Sequence, residues 1–411
     1  MPLDAKSRAV IIGTGVAGVN AAAGMRTAGF DGEILLVGDE PELPYRRPAV
    51  SKDIVRGEKT ADEIRIKPPA WYTDHNVELL AGVRVTSIDP ASRVVSLDHG
   101  SSVAFDRLLI ATGGVARSLG DRNLACASGV QTVRSLGDAA WLHGQFRPGG
   151  RVIVIGAGLV GSEIAASARL LGCDVTILET ATRPLPRLLP PVLAEMYVAL
   201  HKAHGTDLHT DVHVAAIAQS GSETVVRATD GRAWSAPIVV LAIGMVPSTD
   251  LAQSAGITVT DGIVVDARGQ TSVPGIYAAG DVANMPNSTL GARHRVEHWQ
   301  NAQNHGAAVG ASMAGAGAAF DEVPWCWSDQ YGVSLQVTGW PGRGSSMYVR
   351  GSVEHRDFIA FFLADATVVG AIAIGRPFDV RTARTWIAAR GRLRPDVLVD
   401  ESRELAESVL P

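Results

Sequence analysis

At 411 residues, with 46% hydrophobic, 19% charged and 5% aromatic side chains, the chain has room for two or three domains and a sizeable core. Its net charge of -5 leaves no basic excess of the kind that counterion-releasing nucleic-acid binding needs, so nucleic acid is not expected as a partner. Three scattered cysteines, Cys126, Cys173 and Cys326, form neither a CxxC pair nor a metal-binding quartet, and their odd number fits the reducing cytoplasm better than a disulfide-built secreted protein.

The chain opens on MPLDAKSRAVIIG, where Asp4, Lys6 and Arg8 precede a short apolar strand without the long apolar run of a signal peptide. The longest uncharged stretches, residues 234–249 and 306–320, fall short of the roughly 18 consecutive apolar residues of a membrane span. No membrane partner is expected.

Residues 8–40, RAVIIGTGVAGVNAAAGMRTAGFDGEILLVGDE, and 151–179, RVIVIGAGLVGSEIAASARLLGCDVTILE, repeat one pattern 143 residues apart. Each predicts a β-branched strand, a glycine turn, an Ala-rich helix ending near Gly29 or Gly172, a second apolar strand, and then an acid. Segments 77–110 and 205–241 alternate short apolar runs with turns, as in added β layers. RLLIATGG at 107–114 and IVVLAIGMVPST at 238–249 read as strands where the chain passes from one domain to the other. Residues 271–315 return to strand, glycine turn and helix, and from Val323 onward Trp-rich strands lead into an Arg-rich tail. The predicted fold is α/β, with two Rossmann-like dinucleotide-binding domains, the second inserted into the first, and a C-terminal α+β domain. The expected boundaries are 1–114 and 245–322 for the first domain, 115–244 for the second and 323–411 for the third.

A bare GxGxxG is a weak signal in a chain with 44 glycines; strand, helix and acid in both copies supply the strength. In the first unit Gly13 allows the tight turn, Gly15 the approach of a pyrophosphate and Gly18 close helix–strand packing, with Asp39 or Glu40 to accept from the ribose hydroxyls. In the second, Gly156, Gly158 and Gly161 repeat the arrangement and Glu179 takes the acid's place. A carboxylate there binds an unmodified 2′-hydroxyl and repels a 2′-phosphate, which favours NADH over NADPH; nearby Arg183 would soften that repulsion if its loop folds back.

PELPYRRPAVSKD (Pro41 to Asp53), ATGG, TSVPGIYAAGDVA (Thr271 to Ala283), RVEHWQNA (Arg295 to Ala302) and PWCWSDQY (Pro324 to Tyr331) occur in this order along nearly the whole chain. Together they resemble the NADH-dependent, FAD-containing ferredoxin reductases of bacterial oxygenase systems, in the glutathione-reductase-like flavoprotein superfamily. The resemblance implies that Arg47 serves the FAD pyrophosphate and Lys52 the isoalloxazine. It implies Asp281, next to Gly280, at the ribityl chain, and Glu297, His298 and Trp299 at a helix N-terminus aimed at the flavin. Ala17, Val83, Ala111, Thr112, Gly113 and Arg134 match further FAD contacts, and Trp327, with Trp325, the flavin edge. Around NADH it places Leu159, Val160 and Gly244 beside the second glycine turn and Glu163 on the nicotinamide side, paired with Lys52 as the catalytic couple. An ordinary helix-surface acid is the plain alternative for Glu163, and a solvated basic turn for Arg47 and Lys52.

Disulfide reductases of the superfamily carry a CxxxxC pair where this chain reads RRPAVSKD, and peroxide-reducing relatives one cysteine; here there is none. The implied cofactors are therefore FAD and NADH, with electrons leaving to an external acceptor, a 2Fe–2S ferredoxin that supplies a P450 or Rieske oxygenase. Arg376, Arg381, Arg384, Arg390, Arg392 and Arg394 give residues 376–394 a local charge of +5, which fits docking of an acidic ferredoxin, although five acids follow between 396 and 407. Rubredoxin reduction, an NADH oxidase and a redox-sensing flavoprotein like apoptosis-inducing factor remain as alternatives.

Overall fold

The computed structural model describes residues 6–119 and 129–410; Asp4 and Cys126 lie outside the described residues. The chain divides into two compact units, one of Met1–Arg46, Ala61–Val115 and Val246–Pro324, the other of Arg47–Thr60, Ala116–Met245 and Trp325–Pro411. The segment Arg47–Thr60, which the sequence groups with the first domain, clusters with the second unit.

In the first unit the strand Arg8–Ile12 sits at the centre of a five-stranded parallel sheet, in the order Ile276–Ala278, Arg107–Ile110, Arg8–Ile12, Glu33–Gly38, Val77–Ala81. A β-branched run buried on both faces is what such a centre requires. Val10 and Ile12 face a cluster that includes Val85, Ile88, Val95 and Leu97 of the small antiparallel layer. Ala9 and Ile11 face the helices Val16–Thr27 and Trp299–Met313. Those two helices touch backbone to backbone: a Cβ on Gly306 would lie 2.3 Å from the Ala17 carbonyl oxygen, and one on Gly310 2.1 Å from that of Ala21.

The second unit repeats the parallel sheet in the order Asp207–His209, Asp174–Leu178, Arg151–Ile155, Ile238–Leu241, Val130–Thr132. Ile153 and Ile155 pack with Ile217 and Val226 of a three-stranded antiparallel sheet. The C-terminal part forms a five-stranded antiparallel sheet, Trp325–Gln330, Val333–Gly339, Thr367–Ile374, Asp357–Ala364, Ser346–Ser352. Phe358 and Ile372 from this sheet share a core with Leu193 and Tyr197 of the helix Pro191–Ala203. Each such side chain contributes about 1.5–3 kcal/mol by leaving water. Among the described residues no helix is long and apolar enough to cross a membrane.

Candidate functional site

Parallel sheets expose their loops at the strands' carboxyl ends, where open α/β folds bind ligands. In the first unit every strand of the sheet delivers an expected residue there. Gly13 follows Arg8–Ile12, Asp39 and Glu40 follow Glu33–Gly38, and Val83 follows Val77–Ala81. Ala111, Thr112 and Gly113 follow Arg107–Ile110, while Gly280 and Asp281 follow Ile276–Ala278.

Gly13 turns with φ +114°, and a Cβ there would lie 2.2 Å from the Ala111 carbonyl oxygen. One on Gly18 would lie 2.0 Å from the Gly13 carbonyl oxygen, whereas nothing stands within 4 Å of a Cβ on Gly15. The chain is therefore packed at two glycines and open at the third. The helix Val16–Thr27 begins there with no acid in its first turn and no side-chain cap. Its free N–H groups and positive dipole end suit a pyrophosphate. Ala17 packs against Gly280, whose N–H donates to Nδ1 of buried His305 at 3.3 Å.

The acids after the second strand differ. Asp39 is exposed and meets Arg84 at 3.3 Å, while Glu40 is half-buried and accepts from the Tyr45 hydroxyl at 2.5 Å. Val83 donates its N–H to Gly38 O, and the Thr112 hydroxyl donates to Ser248 O at 2.8 Å. Asp281 sits in a single 3-10 turn, Gly280–Val282, and two short strands intervene before the helix Trp299–Met313, so it does not lead directly into a helix. His298 is that helix's N-cap residue without a side-chain cap bond, and exposed Glu297 pairs with Arg295.

The second glycine turn has the same construction, with Gly156 at φ +103° and open space over Gly158. A Cβ on Gly161 would lie 2.0 Å from the Gly156 carbonyl oxygen. Glu179 is buried and tied to this turn, accepting from Ala157 N–H at 2.6 Å and Ala181 N–H at 2.8 Å. Two backbone donors fix the carboxylate in orientation, leaving its remaining lone pairs for ribose hydroxyls. Leu159 is half-buried, Val160 is exposed, and Gly244 accepts at its carbonyl from Arg117 N–H. Arg183 is half-buried. Arg47 donates to the Arg134 carbonyl oxygen at 2.8 Å, in front of the helix Leu136–Gln145.

Lys52 lies on a turn of π-helix, Val50–Ile54, a geometry that often marks functional positions. Its ammonium meets the Glu163 carboxylate at 3.1 Å, with only 7% and 5% of the two residues exposed. Glu163 points inward from the helix Leu159–Leu170 and is not a surface acid. It also accepts from the Ser51 hydroxyl at 2.5 Å and the Ser328 hydroxyl at 2.7 Å. The charge is felt nearby: burial pushes the Tyr197 phenol up, and the negative Glu163 adds to the shift. Lys52 faces Asp329 at 3.7 Å and the Trp327 ring at 6.0 Å, and Trp327 stacks on Trp325 with centroids 5.0 Å apart. Arg384 covers the Trp325 ring at 5.8 Å. A buried cation, its carboxylate and an aromatic pair thus form one cluster.

Sequence reading missed Ser51, Ser328, Gln330, His201 and His305. Ser51 stands beside Lys52, and Ser328 and Gln330 lie inside PWCWSDQY, but that these side chains turn inward shows only in the alternating burial of the strand Trp325–Gln330. His201 and His305 had none, since a histidine on a helix carries no spacing signature. Cys173 and Cys326 are both buried.

The family model described as pyridine nucleotide-disulphide oxidoreductase matches residues 7–306, and the one described as reductase C-terminal matches residues 325–409. The chain is 37% identical, over 98% of both proteins, to the ferredoxin–NAD(+) reductase component of the p-cumate 2,3-dioxygenase system of Pseudomonas putida. It superposes on the reductase of the covalent putidaredoxin reductase–putidaredoxin complex with a TM-score of 0.93, at 34% identity over 98% of each chain. A ferredoxin reductase for the CYP199A2 system of Rhodopseudomonas palustris gives a TM-score of 0.94 at 32% identity, over 98% of this chain and 99% of that one.

Proposed function

The chain belongs to the pyridine nucleotide-disulphide oxidoreductase family, with a reductase C-terminal domain, and from that membership we propose that it is an NADH:ferredoxin reductase of a bacterial oxygenase system. FAD supplies the chemistry of accepting a hydride as two electrons and releasing them one at a time. The observation that carries the reading is the pair of glycine turns, each left open at its middle glycine and each followed by an acid. One turn takes a resident cofactor and the other an exchanging one.

In this reading Gly13, Gly15, Ala17 and Gly18 take the FAD pyrophosphate and Glu40 the ribose, since Glu40 is oriented by Tyr45 while Asp39 is occupied by Arg84. Val83, Ala111, Thr112, Gly113, Gly280, Asp281, Glu297, His298 and Trp299 complete the first unit's share. Gly156, Gly158, Leu159, Val160, Gly161, Glu179 and Gly244 take NADH. Arg47 and Arg134 serve the pyrophosphate, and Lys52, Glu163 and Trp327 act at the reacting rings. Lys52 supplies fixed positive charge for electron density arriving during transfer, and Glu163 holds Lys52 and orients the nicotinamide. The assignment of three functional domains, at 1–114 with 245–322, 115–244 and 323–411, accompanies this reading, as does a cytoplasmic location.

The test is anaerobic stopped-flow mixing of the flavin-loaded protein with NADH and then with small 2Fe–2S ferredoxins. Rapid bleaching of the flavin followed by ferredoxin-dependent return is the expected result. Slow bleaching with a persistent charge-transfer band would favour the sensor, and return only with oxygen the oxidase.

A further inference from the structure

Behind Glu163 a line of buried polar side chains runs away from Lys52. The Ser328 hydroxyl donates to Glu163 Oε1 at 2.7 Å, and the Gln330 side-chain amide donates to Ser328 Oγ at 3.0 Å. Gln330 Oε1 lies 2.8 Å from His201 Nε2, and the Tyr331 hydroxyl lies 3.5 Å from His201 Nδ1 and 3.0 Å from Thr206 Oγ1. Ser328, Gln330 and His201 are buried.

The direction of every bond follows from one charge. A carboxylate paired with an ammonium only accepts, so the single proton of the Ser328 hydroxyl must point at it. Ser328 then has only lone pairs to offer Gln330, which must turn its NH₂ toward Ser328 and its oxygen toward His201. That oxygen requires a proton on His201 Nε2, leaving Nδ1 to accept from Tyr331. The opposite amide orientation would set two acceptors, or two donors, against each other at one link.

We propose that Ser328, Gln330 and His201 are positioning residues that form a one-way donor chain ending on Glu163, with His201 locked as its Nε2–H tautomer. The chain orients and does not conduct, because an amide cannot pass a proton along without leaving its stable tautomer. Its effect is to hold the Glu163 carboxylate in one rotamer, with its lone pairs divided between the hydroxyls and Lys52. Burial pushes His201 down to about 4; the hydrogen bond to Gln330 works against that shift, and His204 adds to it to a smaller extent. The other titratable groups around its ring are Tyr197 and Tyr331, with centroids at 5.4 Å and 5.3 Å.

This inference rests on the reductase reading and is tested separately from it. In the flavin-loaded full chain with ¹⁵N-labelled histidine, His201, assigned by its loss in His201→Gln, should show a fixed Nε2–H pattern from pH 8 to 5.5. Glu163→Leu, which leaves the Ser328 hydroxyl no carboxylate to point at, should release that pattern. An Nδ1–H tautomer, titration within that range, or a pattern indifferent to Glu163→Leu overturns the proposal.

Anaerobic reduction by NADH gives the second readout. Gln330→Leu and His201→Leu should lower the limiting rate about tenfold, as a misplaced group does, while the dissociation constant of NAD⁺ stays within about twofold. His201→Gln, whose amide can donate to Gln330 in place of the ring, should recover to within about threefold of the parent. Equal loss in His201→Leu and His201→Gln, or loss expressed only in NAD⁺ affinity, overturns the positioning role. Should the leucine variants fail to fold, the tautomer of the unaltered protein decides alone. Failure of the unaltered protein to be reduced by NADH would instead overturn the reductase reading and leave the tautomer result standing.

Discussion

Lys52 and Glu163, 111 residues apart, meet at 3.1 Å with both side chains removed from water. Removing one partner of such a pair strands the other, which typically costs about 3–5 kcal/mol, whereas removing both costs much less. Lys52→Met and Glu163→Gln should each destabilise the flavin-loaded protein, and the double variant should be more stable than Lys52→Met alone. Urea unfolding in a double-mutant cycle measures the coupling; additive losses would mean that the pair is not a unit. Both single variants should slow reduction by NADH at least tenfold.

In the proposed NADH site, nucleotide selection falls to the Glu179 carboxylate that Ala157 and Ala181 hold in place. Glu179→Ala removes the ribose acceptor and strands the Ala157 N–H, so kcat/KM for NADH should fall about 10- to 100-fold, the equivalent of about 1.4–2.8 kcal/mol. NADPH loses a repulsion at the same position and should not fall in parallel. Steady-state rates with both nucleotides and an artificial one-electron acceptor measure the ratio. An unchanged preference for NADH would place the discrimination elsewhere.

Two buried histidines, one in each unit, make the fold sensitive to acid. Burial pushes His201 and His305 from 6.5 down to about 4. Unfolded chains bind these protons first as pH falls, so the stabilisation is complete above about 6.5 and is lost progressively toward pH 4, by up to roughly 3 kcal/mol per histidine. Unfolding free energy should therefore drop between pH 7.5 and pH 5. His305→Asn, which keeps an acceptor for the Gly280 N–H, should flatten the slope by the equivalent of one proton. A slope unchanged in His305→Asn would mean that His305 is charged in the fold or does not contribute.

Both glycine turns, their strands and the acid after each second strand were legible because continuous apolar runs, tight turns and ribose chemistry leave marks at fixed spacing. Lys52 was legible only through resemblance, and its π-turn was not, since nothing in VSKDI separates a wide turn from an irregular loop. The partners that bind Glu163 from behind were invisible for a different reason. Ser328 reaches it from a strand 165 residues further along, Gln330 stands behind Ser328 on the same strand, and His201 joins from a third element. Such convergence is a property of packing, which local pattern does not carry. The arginine cluster read as one +5 patch also separates by environment: Arg376 is engaged by Asp357 at 2.5 Å and Glu401 at 2.9 Å, whereas Arg381 and Arg390 are exposed.

That division gives the docking prediction its control. On the helix Pro377–Ala388, Phe378 is 74% exposed and lies under the Arg381 guanidinium at 5.4 Å, so an apolar contact and a free charge share one surface. An acidic ferredoxin would be steered by Arg381 and Arg390, and steering acts on encounter and is screened by salt. Arg381→Glu should slow ferredoxin reduction several-fold at low ionic strength, with the gap from the unaltered protein closing near ~0.5 M salt. Reduction of the flavin by NADH should be untouched, because exposed Arg381 packs on the Phe378 ring of its own helix. Arg376→Glu reverses a charge already spent on two carboxylates, so its cost should appear in unfolding, at about 1 kcal/mol or less for each exposed pair lost, and not in ferredoxin rates. If Arg376→Glu slows ferredoxin as much as Arg381→Glu does, net charge and not this surface governs the encounter.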